Sequence, residues 1–304
     1  MNIIIVGAGA IGSLFGGLLS QKNNVILVGR KPHVDSINSK GLSIQGKTKL
    51  NIKICATNSI GKVPFSPDLL ILSVKSYDTE NAVKDAKSLI HENTVVMSLQ
   101  NGLDNIEKIK KYVNIEKIII CITTHGVIFS KPGVIKHTGF GKTTLGNLTN
   151  KNIQIIKDTS IFLNEAGIKT TITNNIIEEM WSKAIINSSI NPLTALLKCK
   201  NGYLLKNKII EKLVEKICEE STIIANNNGV NISAYNAIKK TKEVITETTE
   251  NHSSMLQSVL QGKKTEIDSI NGVLVKIGKK HNIKTVMNEF LIDSIKLTNN
   301  GSNK

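Results

Sequence analysis

MNIIIVGAGAIGSLFGGLLSQKNNVILVGR, residues 1–30, contains the pattern that decides the fold. The β-branched run from Asn2 to Val6 predicts a strand that stops at Gly7. The apolar residues that follow recur at helical spacing: Ile11, Leu14, Phe15, Leu18 and Leu19. Val25 to Val28 then predicts a second strand. Strand, tight turn, helix and second strand in this order are typical of the first unit of a parallel α/β sheet.

The turn itself is glycine-rich, with the spacing Gly-x-Gly-x-x-Gly. The first glycine permits the tight turn, the second lets the backbone approach a pyrophosphate, and the third lets helix and strand pack closely. Free N–H groups at the start of the helix then face the phosphates. We therefore expect a dinucleotide to bind at Gly7, Ala8, Gly9, Ala10, Ile11 and Gly12. The alternative is a tight turn with no ligand.

The residue after the second strand indicates which dinucleotide binds. Enzymes that use NAD place an acid there against the ribose 2′-hydroxyl, whereas this chain has Gly29-Arg30-Lys31. A guanidinium can hold the 2′-phosphate of NADP through two hydrogen bonds. Since Arg30 is the only arginine in a lysine-rich chain, we predict NADPH as the cofactor. An exposed arginine without a ligand is the alternative.

Further along the chain, strands and helices alternate up to about residue 173. Predicted strands are Leu69–Val74, Thr94–Leu99, Ile118–Thr123 and Ile168–Ile172; predicted helices are Thr79–Ile90, Leu103–Tyr112 and Ile153–Ala166; Val127–Thr144 reads as a hairpin. Only helical periodicity follows, in Ile176–Ile190, Ile209–Asn226, Ala234–Ile245 and Ser269–His281. The expected fold class is α/β, with a Rossmann-type parallel-sheet domain over residues 1–173 and an all-α domain over residues 174–304.

Composition excludes several classes of function. The net charge of +15 invites a polyanion partner, but the lysines are scattered and aromatic residues make up only 4%, so we expect no nucleic-acid binding. No run of about 18 apolar residues is present, so we expect no membrane span. The cysteines, Cys55, Cys121, Cys199 and Cys218, and the six histidines lack metal-ligand spacing. We therefore expect no metal and a reduced, cytoplasmic chain.

Candidate catalytic residues lie in both halves. Lys75 and Asn101 each follow a strand, at the carboxyl edge where ligands bind in open α/β sheets. Lys183, Asn187 and Asn191 are four residues apart and share one stripe if their helix continues, although Pro192 would more naturally start a new helix capped by Asn191. The alternatives are a solvated lysine at 75, a helix cap at 101, and a surface ion pair between Glu179 and Lys183.

A second polar group of residues comprises Glu250-Asn251-His252-Ser253-Ser254 and Thr265-Glu266-Ile267-Asp268. Its hydroxyl and amide groups could bind a carboxylate, and Glu266 could bind a hydroxyl or adjust a nearby lysine. The alternative is a capping turn between helices, and spacing alone favours that alternative.

Seven motifs in register give the chain a resemblance to the ketopantoate reductase (2-dehydropantoate 2-reductase) family, from residue 1 to about residue 295. They are Gly-Ala-Gly-Ala-Ile-Gly at 7–12, Val-Lys-Ser-Tyr-Asp-Thr at 74–79, Gln-Asn-Gly at 100–102, Trp-Ser-Lys at 181–183, Ile-Asn-Pro-Leu-Thr-Ala at 190–195, Ser-Ser-Met-Leu-Gln at 253–257 and Thr-Glu-Ile-Asp-Ser-Ile-Asn-Gly at 265–272. The resemblance implies a helical domain similar to that of 6-phosphogluconate dehydrogenase.

The resemblance also implies a role for each matching residue. Lys183 would be the general acid that protonates the C2 carbonyl oxygen. Residues expected to bind substrate are Asn101, Lys183, Asn187, Asn191, Asn201 and Ser254. Residues expected at the cofactor, besides the glycine loop, are Arg30 at the 2′-phosphate, Lys75, Asn101, Val127 and Glu266.

The predicted function is reduction of 2-dehydropantoate to (R)-pantoate with NADPH, toward pantothenate and coenzyme A. Related enzymes with the same motifs act on other 2-oxo acids, so a reductase with a different substrate is the first alternative. A non-catalytic NADPH-binding sensor is the second. The expected partner is a small 2-oxo acid, and the pattern leaves a homodimer open.

Overall fold

The computed structural model describes residues 1–149 and 152–300. The chain divides into two compact units. The first comprises Met1–Gln100 and Asn105–Ile176, and the second comprises Asn101–Asp104 and Ile177–Lys304. A sheet with covering helices forms the first unit and helices form the second, which confirms the predicted fold class.

The strands, in chain order, are β1 (Asn2–Val6), β2 (Asn24–Val28), β3 (Leu42–Gly46), β4 (Leu50–Ile52), β5 (Cys55–Thr57), β6 (Leu69–Leu72), β7 (Val95–Ser98), β8 (Ile118–Thr123), β9 (Gly126–Lys131), β10 (Val134–Gly139), β11 (Thr143–Gly146) and β12 (Thr170–Ile172). The helices are α1 (Ala10–Leu19), α2 (Lys31–Lys40), α3 (Thr79–Ala86), α4 (Asn105–Ile109), α5 (Ile153–Glu165), α6 (Ile176–Leu197), α7 (Lys208–Asn227), α8 (Ala234–Glu247), α9 (Ser254–Leu260), α10 (Ile267–Lys280) and α11 (Val286–Asn300).

An eight-stranded sheet in the order β12-β11-β8-β7-β6-β1-β2-β5 organises the first unit. Strand β1 lies between β2 and β6, and its Ile3 pairs with Val25 on one side and Leu69 on the other. Neighbouring strands run parallel except β11, which is antiparallel to β8. The central strands are apolar at successive positions because both faces of the sheet are covered. Their carboxyl ends therefore share one edge, as a ligand site at a sheet edge requires.

A second, four-stranded sheet in the order β4-β3-β10-β9 was not predicted. The hairpin expected over Val127–Thr144 forms as β9 and β10, but its last residues turn away, because Thr143 begins β11 in the main sheet. Strand β10 also pairs in parallel with β3, where Val134 meets Ser43. That pairing joins segments about ninety residues apart, and no local sequence pattern predicts it.

Helix α6 dominates the candidate chemistry of the second unit. The expected break at Pro192 is absent, since α6 continues from Ile176 to Leu197 with the proline inside it. Trp181 is 5% exposed in the apolar core of this unit. Within the described part of the chain, no helix combines the length and apolar composition needed to cross a membrane.

Candidate active site

The glycine loop between β1 and α1 is held by close backbone contacts. Gly7 has a φ of +110°, and a side chain there would come within 2.5 Å of the Val74 backbone nitrogen. A side chain at Gly12 would lie 2.2 Å from the Gly7 carbonyl oxygen. Ser73 Oγ donates a hydrogen bond to that same carbonyl at 2.8 Å. Packing alone therefore requires the first and third glycines of the motif.

Gly9 differs from Gly7 and Gly12, because a side chain at this position would clash with no neighbouring atom. A Cβ added there would have no neighbouring atom closer than the Gly7 carbonyl oxygen at 4.0 Å, and the residue is exposed. Helix α1 begins at the next residue and has no acidic residue in its first turn. Free helix N–H groups beside open space are what a phosphate group requires.

Arg30 lies next to this loop within the first unit. The backbone N–H groups of Gly7 and Ala8 both donate to the Val28 carbonyl at 2.9 Å, which holds the loop against the end of β2. A side chain at Gly29 would lie 2.7 Å from the Ala8 Cβ. Arg30 is exposed, and its guanidinium makes no ion pair within residues 1–149 and 152–300. Its neighbour Lys31 is held by Asp35 at 2.7 Å.

Lys75 stands after β6 on a backbone fixed by a hydrogen-bond network. The Gln100 side chain donates from Nε2 to the Val74 carbonyl at 2.9 Å and to Thr79 Oγ1 at 2.7 Å. Thr79 donates in turn to Asn105 Oδ1 at 2.8 Å. The sequence analysis assigned no role to Gln100, although it stands in the Gln-Asn-Gly motif, or to Ser73, because support of a neighbouring backbone leaves no local pattern.

Asn101 belongs to a short excursion of the chain. Residues Asn101–Asp104 group with the second unit, while the chain on either side of them belongs to the first. Gly102 permits this turn with a φ of +98°, and Leu103 packs against the helical core. The alternative of a simple cap for α4 does not describe Asn101, since α4 begins at Asn105.

His125, just before β9 and Val127, belongs to a partly buried histidine pair. His137 Nε2 lies 3.0 Å from the Gly139 carbonyl, which can only accept, so this nitrogen carries the proton. It also lies 3.0 Å from His125 Nδ1. Burial and the neighbouring His137 lower the pKa of His125 to about 4. Val127 itself is half-buried and packs on the apolar core.

Lys183, Asn187 and Asn191 follow one another at four-residue intervals on the single helix α6, so they share one stripe. Asn191 is 5% exposed, and Lys183 and Asn187 are half-buried. Neighbouring hydroxyls bond to the helix itself, as when Ser188 Oγ donates to the Ile185 carbonyl at 2.8 Å. Among the described residues, by contrast, the two asparagine amides make no hydrogen bond. The fold thus leaves them free for a ligand.

Glu179, the alternative partner for Lys183, lies on the surface of the same unit. Its carboxylate is 3.8 Å from Lys240 Nζ, with both side chains about half-exposed. An ion pair of this kind contributes little to stability.

Asn201 is joined to the loop that precedes α9. Its N–H donates to the Asn251 carbonyl at 3.0 Å, and its Nδ2 donates to Thr248 Oγ1 at 2.8 Å. Thr248 donates its own hydrogen to the Val244 carbonyl, so the Asn201 amide can only face it with Nδ2. Asn201 Oδ1 is consequently an acceptor, and it is buried without a partner in the described chain.

The segment of Ser253 and Ser254 was expected either to cap a helix or to bind substrate, and the two serines differ in this respect. Ser253 caps α9, accepting from the Leu256 N–H at 3.1 Å, and Thr194 of α6 donates to its hydroxyl at 2.7 Å. Ser254 is exposed, and its hydroxyl bonds to no described residue. The capping explanation is therefore correct for the first serine, and the second remains available. The Thr194 contact brings Ser254 and Asn191 into one neighbourhood.

Glu266 is 7% exposed and immediately precedes α10. The backbone N–H groups of Ser269 and Ile270, in the first turn of α10, donate to the Glu266 carbonyl at 3.0 Å each.

The candidate residues fall into two groups. The cofactor candidates Arg30, Lys75 and the glycine loop come together in the first unit, and the substrate candidates Asn191, Asn201 and Ser254 come together in the second. In the described residues, no cluster of three or more histidine, cysteine or acidic side chains could hold a metal ion.

Comparison with known proteins identifies relatives over the whole chain. The family model "Ketopantoate reductase PanE/ApbA" matches residues 3–150, and the model of its C-terminal region matches residues 175–299. A 2-dehydropantoate 2-reductase of Pyrococcus abyssi is 41% identical, with 97% of each chain covered.

Two solved structures extend the comparison. D-mandelate dehydrogenase, solved with NADH and anilino(oxo)acetate, has a TM-score of 0.95 at 30% identity, covering 100% of this chain and 99% of its own. A PanE/ApbA family ketopantoate reductase of Ralstonia eutropha JMP134 has a TM-score of 0.89 at 26% identity, with both chains fully covered.

Proposed function

Because the chain belongs to the ketopantoate reductase family, we propose that it reduces 2-dehydropantoate to (R)-pantoate, with NADPH as the reductant and Lys183 as the proton donor. The chain is an oxidoreductase that acts on a CH–OH group and uses a nicotinamide cofactor. The observation that carries the proposal is the stripe on α6, where two unpaired amides follow Lys183 at four and eight residues.

The residues of the first unit fit a phosphorylated dinucleotide. Gly9 leaves room at the start of α1 for the pyrophosphate. Arg30 offers an unpaired guanidinium beside it, which suits a dianionic 2′-phosphate better than a ribose hydroxyl. Lys75 and Val127 would lie along the remainder of the cofactor, as would Asn101 and Glu266. When bound, the nicotinamide supplies the hydride.

The second unit then supplies orientation and a proton. Asn187, Asn191 and Ser254 would hold the 2-oxo acid through its carboxylate and hydroxyl groups, so that its carbonyl carbon faces the incoming hydride. Lys183 Nζ would donate a proton to the carbonyl oxygen as negative charge develops there. Reduction consumes one hydride and one proton, and the lysine regains its proton from solvent.

Asn201 favours a substrate that carries a hydroxyl group. Its Oδ1 is a buried acceptor without a partner in the described chain, and a buried acceptor left unpaired costs free energy. The terminal hydroxyl of 2-dehydropantoate would supply the missing donor. A 2-oxo acid with only apolar substituents would leave the oxygen unpaired.

A reductase of another 2-oxo acid is the second candidate, favoured by the similarity to D-mandelate dehydrogenase. That protein was solved with NADH, which makes both substrate and cofactor choices testable together.

The test is a panel of reductions followed by loss of absorbance at the nicotinamide band. Purified protein is mixed with NADPH or NADH and with 2-dehydropantoate, phenylglyoxylate or a branched aliphatic 2-oxo acid. We expect the highest kcat/KM for 2-dehydropantoate with NADPH. Equal or faster turnover of phenylglyoxylate would assign the chain to the second candidate.

The same proposal includes the setting of the reaction. Pantoate production places it on the route to pantothenate and coenzyme A. All four cysteines are free thiols, which supports a reducing, cytoplasmic location. Light scattering of the purified chain tests for a homodimer, which should give twice the mass of one chain.

A further inference from the structure

Pro192 leaves a carbonyl without its helical partner. Within an α-helix each N–H bonds to the carbonyl four residues earlier, and proline has no N–H to give. The carbonyl affected by Pro192 is that of Ser188, in the middle of α6. Ser188 is 0% exposed, so solvent does not supply the missing hydrogen bond. Another donor is required.

Asn271 of α10 supplies that donor. Its Nδ2 lies 3.1 Å from the Ser188 carbonyl oxygen, across 83 residues of sequence, and Asn271 is also 0% exposed. The second hydrogen of the same Nδ2 goes to Asn288 Oδ1 at 2.9 Å. Both amide hydrogens are therefore used, while Asn271 Oδ1 has no partner in the described chain. The residue acts here purely as a donor.

The orientation of this amide is fixed from outside. Glu220 of α7 accepts from the backbone N–H groups of Met287 and Asn288, both at 2.9 Å, and so caps α11. Asn288 Nδ2 donates to the same carboxylate at 2.7 Å. Because a carboxylate can only accept, Asn288 must present Oδ1 to Asn271. Asn271 must in turn present its Nδ2 to both Asn288 and Ser188.

The carbonyl held in this way lies among the substrate candidates. Asn187 immediately precedes Ser188, and Asn191 immediately precedes Pro192. The turn between these two asparagines has lost its own closing bond, and the proline ring also presses against the Ser188 carbonyl. Its geometry therefore depends on a donor that comes from a different helix.

We propose that Asn271 is a positioning residue for substrate binding, in which its amide replaces the missing N–H of Pro192 and holds the turn of α6 that presents Asn187 and Asn191. This inference rests on the proposed function, in which those two amides contact the 2-oxo acid. Small displacements of groups that orient a substrate are costly, since a shift of about 1 Å can lower the rate by about a hundredfold.

A double-mutant cycle isolates this hydrogen bond. Asn271→Ala, Pro192→Ala and the double variant are compared with wild type by urea unfolding, without any substrate. Alanine at position 192 restores an N–H that can reach the Ser188 carbonyl. The loss of the Asn288 contact and the cavity at 271 are common to both backgrounds and cancel. We expect N271A to raise the unfolding equilibrium constant about tenfold more in the wild-type background than in the P192A background.

Steady-state kinetics test the positioning role with the same four proteins. N271A should raise KM for the 2-oxo acid by about tenfold or more, with NADPH affinity unchanged, and P192A/N271A should recover most of that loss. Thr222→Ala is the matched control. Its hydroxyl is buried in the same unit and donates to the Cys218 carbonyl at 2.7 Å, and it forms no hydrogen bond with Asn271, Asn288 or Ser188. T222A should lower stability and leave KM as in wild type.

Each outcome decides one part of the proposal. If the effects of N271A and P192A on the free energy of unfolding are additive, the Asn271 amide does not replace the N–H that Pro192 lacks. If the two effects are coupled but N271A has the wild-type KM, Asn271 does not position the substrate-binding turn. If N271A does not fold, recovery of folding and turnover in P192A/N271A supports the proposal, and failure of the double variant while P192A folds overturns it. A wild-type chain that reduces no 2-oxo acid overturns the proposed function and the kinetic half, while the unfolding cycle still decides the hydrogen bond.

Discussion

Substitution of the single residue Lys183 should impair proton transfer without affecting NADPH binding. Lys183→Met keeps much of the side-chain volume and removes the transferable proton. We expect kcat to fall by about 10²- to 10⁴-fold, the usual contribution of a general acid. NADPH affinity, measured by fluorescence titration, should not change, because the cofactor candidates other than Asn101 and Glu266 lie in the first unit.

Lys183→Arg is the informative companion variant. It keeps the positive charge but replaces the proton donor by a guanidinium that hardly ever deprotonates in proteins. If K183R turns over like wild type while K183M does not, Lys183 contributes charge and does not donate the proton. Unchanged turnover in both variants would remove Lys183 from the mechanism altogether.

Arg30 should decide the choice between NADPH and NADH. A charge-assisted hydrogen bond contributes about 1.5–3 kcal/mol, so Arg30→Ala should raise KM for NADPH by about ten- to a hundredfold. KM for NADH should change little, because it has no 2′-phosphate. Lys31→Ala removes a neighbouring charge that is already paired with Asp35, and it is the matched control. A parallel rise in both KM values would show that Arg30 does not contact the 2′-phosphate.

At the scale of the element, the glycines of the first loop should separate binding from folding. Gly9→Ala places a methyl group in open space, so the chain should fold normally while KM for NADPH rises by about tenfold, because the phosphate loses its close approach. Gly12→Ala instead drives a Cβ to within 2.2 Å of the Gly7 carbonyl oxygen. Overpacking of this kind costs about 1–3 kcal/mol, so G12A should lower the Tm.

Thermal unfolding and cofactor titration of G9A and G12A provide the check. If G9A is as destabilised as G12A, Gly9 serves the fold and not the cofactor. If G9A binds NADPH as wild type does, the phosphates do not approach the loop at that residue.

The elements that could be predicted from the sequence are those whose signals are local. The glycine loop follows β1 and Arg30 follows β2. Because these neighbouring strands are parallel, the residues after them lie close together. The pairing of β3 with β10 depends on residues about ninety positions apart and was missed. The continuation of α6 through Pro192 was also missed, because the donor that permits it, Asn271, lies in a different helix.

At the scale of the whole molecule, the pair of His125 and His137 makes stability sensitive to acid. The pKa of His125 is about 4, below its ordinary value of 6.5, because burial and His137 disfavour the charged form. The unfolded chain therefore binds more protons than the folded chain between these values, and stability falls as the pH drops from about 6.5 toward 4. Above that window His125 is neutral in both states and has no effect.

His125→Phe should remove this part of the acid sensitivity. The free energy of unfolding, measured by urea titration from pH 4 to 8, should fall less steeply below pH 6.5 in H125F than in wild type. His252→Phe removes an exposed imidazole and controls for the loss of one histidine. Identical pH profiles for H125F and wild type would contradict the assignment.

The hydrogen bond that Asn271 donates to the Ser188 carbonyl also has a consequence for the evolution of the sequence. A proline at position 192 is tolerated only while a donor is kept at position 271, and a donor at 271 is dispensable once the proline is gone. The two positions should therefore change together among descendants of a common ancestor. Lineages that lose the proline should become free to replace the asparagine, whereas lineages that keep it should not.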